Sequence, residues 1–353
     1  MSPVRVLSVV GARPQFVKAA VVSRALARRG LAEVIAHTGQ HGDPGMSQVF
    51  FDELGIPDPA YHLGIAGGGH GAMTGRMLQA LEPVLERARP DVVLVYGDTN
   101  STLAGALAAA KLGIPVAHVE AGLRSFDRRM PEEVNRVVAD HVASLLLCPT
   151  RRAVANLAAE GLTQGVHHVG DVMLDAALRA AAEAERRSSV LDRLGLAPGT
   201  YAVATVHRAE NTDDPAALAR AMGWLAARAA ERPAVMPLHP RLRDALARWP
   251  VDLGRLRVVE PLGHLDMTRL VRCAAAVYTD SGGLQKEAYF HRVPCVTLRA
   301  TTEWAETVEA GWNRLWTEPE SAGPRREIDD FGDGDAGGAI ADLLARATGA
   351  VAA

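Results

Sequence analysis

A concentrated group of charged side chains follows a short apolar run at residues 114–117. The apolar run predicts a buried strand, and Pro131 followed by two glutamates predicts the start of a helix. Glu120 is therefore expected at the carboxyl end of a strand, and Glu132 and Glu133 at a helix N-terminus. Because open α/β sheets bind ligands outside the carboxyl ends of their strands, these carboxylates are candidates for ligand contact. The alternative is a surface loop whose mixed charges pair with one another, which is the more common outcome for such a segment taken alone.

A second candidate is the turn from Gly11 to Lys18, where a predicted strand enters a glycine turn that opens a helix. Helix N-termini bind anions through free N–H groups and the helix dipole, and Arg13 and Lys18 would add positive charge to a phosphate site. The turn lacks the GxGxxG pattern, so a dinucleotide cofactor is not indicated. A plain strand-to-helix turn with solvated basic side chains is an equally good interpretation.

Asp98 occupies a third position of this kind, after a predicted buried strand and before a helix that begins with small polar residues. The carboxyl end of a strand is where ligand groups belong. The same residue types are also good helix caps, and capping is the more common role.

Two histidines follow strands in the second half of the chain. His207 comes after the first strand predicted there, and His239 repeats the arrangement one strand later. A histidine in this position can exchange a proton or contact a phosphate near neutral pH. A lone histidine more often has no chemical role.

The strongest local indication of a phosphate site is the segment Asp280-Ser281-Gly282-Gly283, which follows a predicted strand and starts a helix. Two glycines let a phosphate approach the backbone closely, and Ser281 can donate to it. A simple helix cap does not need both glycines, so a binding pocket is the favoured interpretation.

The histidines and cysteines do not have the spacing of a metal site. His167 and His168 are adjacent, not spaced along one helix face, and no CxxC pattern occurs, so no metal and no other cofactor is expected. The three cysteines, Cys148, Cys273 and Cys295, are far apart and lie in or beside apolar segments. They are interpreted as buried thiols in a reducing cytosol.

Strand and helix patterns alternate along the chain, which is typical of parallel sheets covered by helices. Strands are predicted at residues 4–10, 33–38, 91–97, 115–120, 145–148, 201–206, 234–238, 256–259, 275–278 and 294–298. Helices are predicted at residues 16–29, 45–54, 73–88, 101–112, 132–143, 151–160, 215–231, 265–273, 283–290 and 336–346, with a flexible loop at 64–71. Residues 170–175 are predicted to open a further helix that runs to about residue 187. Two α/β domains joined near residue 170 fit this pattern, with a cleft where their strand ends face each other.

Length and composition exclude several classes of protein. The 353 residues are enough for two domains, and 48% of them are hydrophobic, which allows sizeable cores. The formal net charge is −3 without long basic runs, which argues against a nucleic-acid-binding protein. No segment approaches the length of a membrane span, and the first residues predict a buried strand and no signal peptide, so a cytoplasmic protein is expected.

Taken together, these motifs resemble those of the UDP-N-acetylglucosamine 2-epimerase family, of the non-hydrolysing bacterial type. The motifs occur in this order: Gly11-Ala12-Arg13-Pro14, Gly39-Gln40-His41, Gly97-Asp98-Thr99, His118-Val119-Glu120-Ala121-Gly122-Leu123-Arg124, Pro131-Glu132-Glu133-Val134-Asn135-Arg136, His207-Arg208-Ala209-Glu210-Asn211 and Asp280-Ser281-Gly282-Gly283-Leu284-Gln285. The resemblance covers nearly the whole chain. It implies a GT-B fold with Rossmann-like domains at 1–170 and 171–334, a last helix at 335–353 that crosses back onto the first domain, and a homodimer.

The reaction that the resemblance implies interconverts UDP-GlcNAc and UDP-ManNAc. The hydrogen on C2 is not acidic, because C2 is not next to a carbonyl. The family's route is anti elimination of UDP to give 2-acetamidoglucal, followed by re-addition of UDP with protonation on the opposite face of C2. Such chemistry needs stabilisation of the departing diphosphate and groups that exchange the C2 proton.

The resemblance also implies the roles of individual residues. The acid/base candidates are Asp98, Glu120 and Glu132, with His207 near the diphosphate and Arg136 orienting the two glutamates. Residues implied for binding the UDP-sugar are Arg13, Lys18, Arg136, Arg208, His239, Leu262, Ser281, Gly282, Gly283, Glu287 and Arg299. Within this set, Glu287 would accept the ribose hydroxyls and the backbone around Leu262 would read the uracil.

One departure from the family pattern concerns the sugar. Many members have an arginine where Trp304 stands, and Trp304 together with Gly311-Trp312-Asn313 resembles the branch that contains epimerases of UDP-2,3-diacetamido-2,3-dideoxyglucuronate. That sugar is the alternative substrate. A hydrolysing epimerase and a non-catalytic relative that binds nucleotide sugars are the remaining alternatives.

Overall fold

Two parallel β-sheets, each covered by helices, make up the computed structural model, which describes residues 4–40, 55–319 and 324–351. The described residues divide into two compact units. The first contains the residues up to Ala176 together with those from Asp329 onward, and the second is Ala177–Ile328. The predicted fold class, α/β with two Rossmann-like sheets, is confirmed.

The first unit contains a seven-stranded sheet. Its strands are β1 (Arg5–Val10), β2 (Ala32–His37), β3 (Tyr61–His62), β4 (Val92–Tyr96), β5 (Val116–Val119), β6 (Leu145–Cys148) and β7 (Val166–His168). The helices along the same part of the chain are α1 (Arg13–Arg28), α2 (His70–Ala88), α3 (Asn100–Lys111), α4 (Pro131–Val142), α5 (Arg151–Ala159) and α6 (Val172–Arg187).

The second unit contains a six-stranded sheet. Its strands are β8 (Ala202–Thr205), β9 (Ala234–Pro237), β10 (Arg257–Val259), β11 (Ala276–Thr279), β12 (Cys295–Thr297) and β13 (Asn313–Leu315). The helices that follow α6 are α7 (Val190–Leu194), α8 (Ala209–Thr212), α9 (Pro215–Glu231), α10 (Pro240–Arg248), α11 (His264–Arg272), α12 (Gly282–Phe290), α13 (Ala305–Glu309) and α14 (Ala336–Val351).

Both sheets have the strand order of a Rossmann fold. The order is β3-β2-β1-β4-β5-β6-β7 in the first unit and β10-β9-β8-β11-β12-β13 in the second. In such sheets, ligands bind beyond the carboxyl ends of the strands where the order reverses. The reversal lies between β1 and β4 in the first unit, and between β8 and β11 in the second.

The centre of the first sheet is apolar on both faces, as a parallel sheet between helices requires. Every residue of β1 and β4 except Arg5 is buried. The last helix, α14, returns to this unit and packs on α1, with Ile340 and Leu344 in the same core cluster as Phe16.

Several element boundaries differ from the predictions. Helix α1 begins at Arg13 and not at residue 16, because Pro14 suits the first helical turn. Helix α2 begins at His70, so the last two residues of the predicted loop at 64–71 are helical. The helix predicted at residues 45–54 lies outside the described residues.

Short elements were not predicted. They are the strands β3, β7 and β13 and the helices α7, α8, α10 and α13. Most are too short to show a hydrophobic period. Within the described part of the chain, no helix is long and apolar enough to cross a membrane.

Candidate active site

In the first unit, a lysine and a glutamate form an ion pair at the carboxyl end of the sheet. Lys18, on α1, donates a hydrogen bond to Oε2 of Glu120, the residue after β5. Their side chains are only 10% and 11% exposed. Gly97, after β4, has a φ of +63°, and a Cβ atom there would lie 3.2 Å from both the ammonium and the carboxylate. Glycine at position 97 therefore makes room for the pair.

The Lys18 contact changes the interpretation of the turn at residues 11–18. The backbone N–H groups of Gly11 and Ala12 donate to Oε1 of Gln15 at 2.9 and 3.0 Å. The Gln15 amide in turn donates to the carbonyl of Tyr96 at 2.9 Å. These donors and the Lys18 ammonium are engaged within the protein, as in the plain strand-to-helix turn that was one of the two interpretations of this motif. Arg13 remains at the exposed start of α1.

Asp98 is held by residues of α4. Arg136 donates to Oδ2 of Asp98, and Asn135 donates to its backbone carbonyl at 2.9 Å. The Asp98 side chain is 34% exposed, so a ligand can reach it. Burial alone would lower the pKa of Arg136, but the charges of Asp98, Glu133 and Glu120 outweigh burial and raise it. The cap of α3 is Thr99 and not Asp98, which leaves Asp98 for another role.

The two glutamates at the start of α4 have different environments. Glu132 is exposed, whereas Glu133 is 2% exposed. Glu133 accepts hydrogen bonds from the backbone N–H groups of Ser125 and Phe126, both at 2.9 Å, and from Arg136 at 3.1 Å. Glu133 therefore fixes the loop between β5 and α4.

The predicted role of Arg136 needs a correction. It was expected to orient Glu120 and Glu132, but its hydrogen-bonded carboxylates are those of Asp98 and Glu133. The reason is geometric. Glu133 and Arg136 are three positions apart, so they lie on the same face of α4, and Arg136 on this face reaches Asp98.

In the second unit, a buried aspartate organises the turn after β8. Asp280 has no exposed surface and follows β11. It accepts hydrogen bonds from the backbone N–H groups of His207, at 3.1 and 3.0 Å, and of Arg208, at 2.9 Å. The side-chain amide of Asn211 donates to it at 3.0 Å. One carboxylate thus holds the short helix α8 and the histidine before it.

His207 lies beside a second histidine. Its ring centroid is 5.0 Å from that of His239, and its Nδ1 is 3.6 Å from Oδ1 of Asp280. Burial lowers the pKa of His207, and the raising effect of Asp280 is outweighed with the help of His239 and nearby arginines. The imidazole is therefore biased toward its neutral form. His239 caps α10 by accepting from the backbone N–H of Arg241 at 3.2 Å.

Helix α12 begins at the predicted Ser-Gly-Gly segment. Ser281 is the helix cap and accepts a hydrogen bond from the N–H of Leu284 at 3.4 Å. A Cβ atom at Gly282 would lie 2.3 Å from the Glu303 carboxylate, so a side chain there would displace that carboxylate. A Cβ at Gly283 would meet only Ser281 Oγ, at 4.0 Å. Packing within the chain therefore does not explain the glycine at position 283.

Arg299 is held next to this helix start by two carboxylates. It donates to Glu210 at 2.8 Å and to Glu303 at 2.9 Å. Burial alone would lower the pKa of Arg299, but the two carboxylates raise it. Arg208 lies on the other side, with a guanidinium nitrogen 3.6 Å from the position of a Cβ at Gly282.

Glu287 and Leu262 are the other predicted binding residues. Glu287 is partly buried on α12, and desolvation raises its pKa to about 7. Leu262 precedes α11 and is partly buried against the core of the second unit.

Trp304 packs inward. Its ring lies 3.9 Å from the ammonium of Lys286, and the Trp304 side chain is 5% exposed. Thr302, two residues earlier, donates to Gln285 Oε1 at 2.6 Å, and Asn313 donates to the same oxygen at 3.2 Å. Trp304 therefore anchors the segment after β12 to α12 through its contact with Lys286.

The three cysteines are free thiols that differ in burial. Cys148 and Cys295 are buried as predicted, whereas Cys273 is only partly buried, because it caps α11 near the surface. Among the described residues, no group of three or more His, Cys, Asp or Glu side chains could hold a metal ion.

Four residues with important contacts are absent from the site residues that the resemblance implied: Gln15, Glu133, Asn211 and Asp280. All are polar, and all are at most 5% exposed. A polar residue directly after a buried strand, such as Asp280, was the available signal. What it binds could not be read from its position.

Comparison with known proteins agrees with this architecture. A family model described as UDP-N-acetylglucosamine 2-epimerase matches residues 24–345. A protein of Methanococcus maripaludis named UDP-N-acetylglucosamine 2-epimerase homolog is 50% identical over 317 residues, 88% of each chain. The UDP-2,3-diacetamido-2,3-dideoxy-D-glucuronate 2-epimerase of Pseudomonas aeruginosa is 47% identical over 360 residues, 97% of this chain and 99% of the relative.

A solved structure shares the whole fold. The crystal structure of Methanocaldococcus jannaschii UDP-GlcNAc 2-epimerase, in complex with UDP-GlcNAc and UDP, has a TM-score of 0.86 and 38% identity, covering 97% of this chain and 99% of that one. The predicted GT-B-like class is thereby confirmed. The chain belongs to the UDP-N-acetylglucosamine 2-epimerase family of isomerases.

Proposed function

We propose that the protein is a non-hydrolysing 2-epimerase that interconverts UDP-GlcNAc and UDP-ManNAc by elimination and re-addition of UDP. The observation that carries the proposal is the carboxylate Glu120, buried against Lys18 one strand away from Asp98. Carboxylates at neighbouring strand ends are suited to moving a proton to and from a carbon that has no activating carbonyl.

The chemistry requires one C–H and one C–O bond to break. A base removes the proton from C2, the electrons of that bond form the C1–C2 double bond, and the C1–O electrons leave with the diphosphate of UDP. In the return step, C2 is protonated on the opposite face and the diphosphate oxygen attacks C1. We assign the proton transfers to Asp98, Glu120 and Glu132, with His207 beside the diphosphate.

The second unit supplies the groups for UDP in this proposal. The start of α12 offers backbone N–H groups and the positive end of a helix dipole. The open space at Gly283 suits a phosphate that approaches the backbone. Arg208, His239 and Arg299 would add hydrogen-bond donors. Arg13 and Lys18 belong to the first unit, and we assign Lys18 to holding Glu120.

The nucleoside would be bound by Glu287 and by the backbone around Leu262. An ionised Glu287 can accept both ribose hydroxyls. Support for a UDP-sugar comes from the Methanocaldococcus jannaschii relative, whose crystal structure contains UDP-GlcNAc and UDP.

UDP-2,3-diacetamido-2,3-dideoxyglucuronate is a second candidate substrate. Two observations favour it. Trp304 stands at a position where many members of the family have an arginine, and this tryptophan resembles the branch that contains epimerases of this sugar. The Pseudomonas aeruginosa relative named for this sugar is 47% identical over 97% of the chain. Identity alone does not separate the two sugars, because the Methanococcus maripaludis relative named UDP-N-acetylglucosamine 2-epimerase homolog is 50% identical, and two further relatives named UDP-N-acetylglucosamine 2-epimerase are 39% and 41% identical.

Incubation with each sugar in deuterated water tests both candidates. The proposal predicts deuterium at C2 and a stable pool of the C2 epimer, and the faster sugar identifies the substrate. Rapid release of free UDP without an epimeric UDP-sugar would support the hydrolysing alternative. No deuterium in either sugar would refute the proposed function. The homodimer and the cytoplasmic location stay predictions, and light scattering of the purified protein would test the first.

A further inference from the structure

A second charged network lies beneath the candidate carboxylates of the first unit. His118, on β5, has no exposed surface. Its Nδ1 is 2.7 Å from Oδ1 of Asp140, and its Nε2 is 2.7 Å from the backbone carbonyl oxygen of Gly97. Both neighbours of the ring are therefore oxygen atoms at hydrogen-bond distance.

Asp140 is fully buried and has further donors. Its Oδ2 accepts from the backbone N–H of Gly122 at 3.1 Å and from Nη1 of Arg124 at 2.7 Å. Burial favours a neutral Asp140, but the charge and the hydrogen bond of Arg124 act against burial and favour the ionised form. An ionised carboxylate is only an acceptor.

The charge of the His118 ring follows from the number of N–H groups that its two oxygen neighbours need. A neutral imidazole has one N–H group, and a backbone carbonyl and an ionised carboxylate both need a donor. Satisfying both 2.7 Å contacts requires a proton on each nitrogen. A neutral ring would leave one nitrogen lone pair facing an oxygen in a site without water access.

The other ionisable groups around Asp140 are compatible with this charge. Arg124 is balanced by Glu160, to which it donates two hydrogen bonds at 2.7 and 2.8 Å. Burial, with a contribution from Asp140, raises the pKa of the Cys148 thiol to about 12, so the thiol stays neutral.

The network connects the two turns that carry the candidate acid/base residues. The carbonyl of Gly97 belongs to the peptide bond that leads to Asp98, and Gly122 lies two residues after Glu120. Glu120 itself has a φ of 72°, a conformation that non-glycine residues hold only when the surrounding structure determines it. A hydrogen bond at each turn limits how far either carboxylate can move.

We propose that His118 is a permanently protonated positioning residue, whose two N–H groups hold Gly97 and Asp140 and so set the positions of Asp98 and Glu120. The charge of His118 does not depend on the proposed function. Only the expected effect on kinetics rests on the proposed function. His118 acts through these residues and is not itself in contact with the reacting sugar.

Nitrogen-15 NMR of histidine-labelled protein tests the charge state. His118 is identified by the signal that His118→Gln lacks. Both ring nitrogens are expected to carry protons at pH 6.0 and at pH 8.0. In Asp140→Asn, whose amide can donate to Nδ1, only one ring nitrogen should be protonated at pH 8.0. A singly protonated His118 in the wild type at pH 8.0 would overturn the proposal.

Kinetics test the positioning role. His118→Gln keeps a donor for Gly97 but loses the charge and the link to Asp140. We expect kcat for C2 exchange to fall about 100-fold, as a misplacement near 1 Å would cause, with KM and the Kd of UDP unchanged. The exposed His62→Gln variant is the control and should keep full activity. A His118→Gln enzyme with normal kcat would refute the role. Absence of exchange in the wild type would instead refute the proposed function and leave the NMR result valid.

Discussion

The two units have the same strand order but different side chains at the point where the order reverses. In the first unit, carboxylates at strand ends pair with cations on helices, Glu120 with Lys18 on α1 and Asp98 with Arg136 on α4. In the second, a single buried carboxylate, Asp280, holds backbone N–H groups beside a glycine-rich helix start. Topology thus determines where a ligand can bind, and the local side chains determine the chemistry.

The charged groups of the two units also differ in how they are paired. The first keeps carboxylates beside cations, which suits proton transfer. The second holds the partly buried Arg299 between two carboxylates and biases His207 toward the neutral form. In the proposed function, the second unit would therefore bind the diphosphate through backbone N–H groups and oriented dipoles more than through net positive charge.

The most severe test of this division is Glu120→Gln. We expect C2 exchange to fall about 1,000-fold, within the range for loss of a general acid or base, while the Kd of UDP stays the same. Exchange is measured by NMR in deuterated water and binding by calorimetry. The exposed Glu86→Gln on α2 is the control. A large loss of UDP affinity, or normal exchange, would contradict the assignment of proton transfer to the first unit and UDP binding to the second. Glu132→Gln should be measured in the same way, because Glu132 is exposed.

Asp280→Asn should be the most damaging change in the second unit. An amide in place of the carboxylate weakens hydrogen bonds from three donors, His207 N, Arg208 N and Asn211 Nδ2. If the weaker hydrogen bonds cost about 3 kcal/mol of transition-state stabilisation, as is typical for hydrogen bonds to a charged group, kcat/KM should fall roughly 100-fold. Steady-state kinetics with thermal unfolding as a folding control measures it, and the exposed Asp244→Asn is the matched variant. Unchanged kcat/KM would mean that the turn after β8 does not act on substrate.

UDP binding should depend on pH through Glu287. Because its pKa is about 7 in the free protein, the carboxyl group is largely protonated at pH 6 and ionised at pH 8. Ribose hydroxyls donate to the ionised form, so the linked proton release should make binding about 10-fold tighter at pH 8 than at pH 6.

The phosphates of UDP also titrate, so Glu287→Gln is the reference. The variant should lose the part of the pH dependence that comes from the protein and retain the part that comes from UDP. Calorimetry at both pH values decides, and identical pH dependence in the two proteins would exclude Glu287 from the ribose site.

The smallest predicted effect concerns stability. Phe126 is 79% exposed and has a φ of 59°, which costs about 1–2 kcal/mol in a non-glycine residue. Phe126→Gly should therefore raise Tm by about 2 °C. Arg128→Gly, in the same loop without a positive φ, should lower Tm slightly. A lower Tm in Phe126→Gly would show that the aromatic ring stabilises the loop between β5 and α4.

Regular elements with clear local signals could be predicted from the sequence. The bounds of α9 were predicted correctly because Asp214 caps the helix and Pro215 starts it. The strand β6 was also predicted correctly, as a short apolar run. The strand β13 has the polar sequence Asn-Arg-Leu and shows no such signal.

The candidate site was less predictable because its contacts join distant parts of the chain. Lys18 and Glu120 are separated by 102 positions, and His207 and Asp280 by 73. Local patterns identified Glu120 and His207 as residues at strand ends. They could not show that Arg136 binds Asp98 and Glu133, since that depends on how α4 packs beside the end of β4.

The central claim is that the bond between C1 and UDP breaks and re-forms on the protein. A UDP-sugar with oxygen-18 in the bridge between C1 and the β-phosphorus tests it, because elimination frees the phosphate to rotate. Elimination and re-addition predict that the oxygen-18 label in recovered substrate moves into the non-bridging oxygens of the β-phosphate while deuterium enters C2. Deuterium at C2 with the label still entirely in the bridge would contradict elimination.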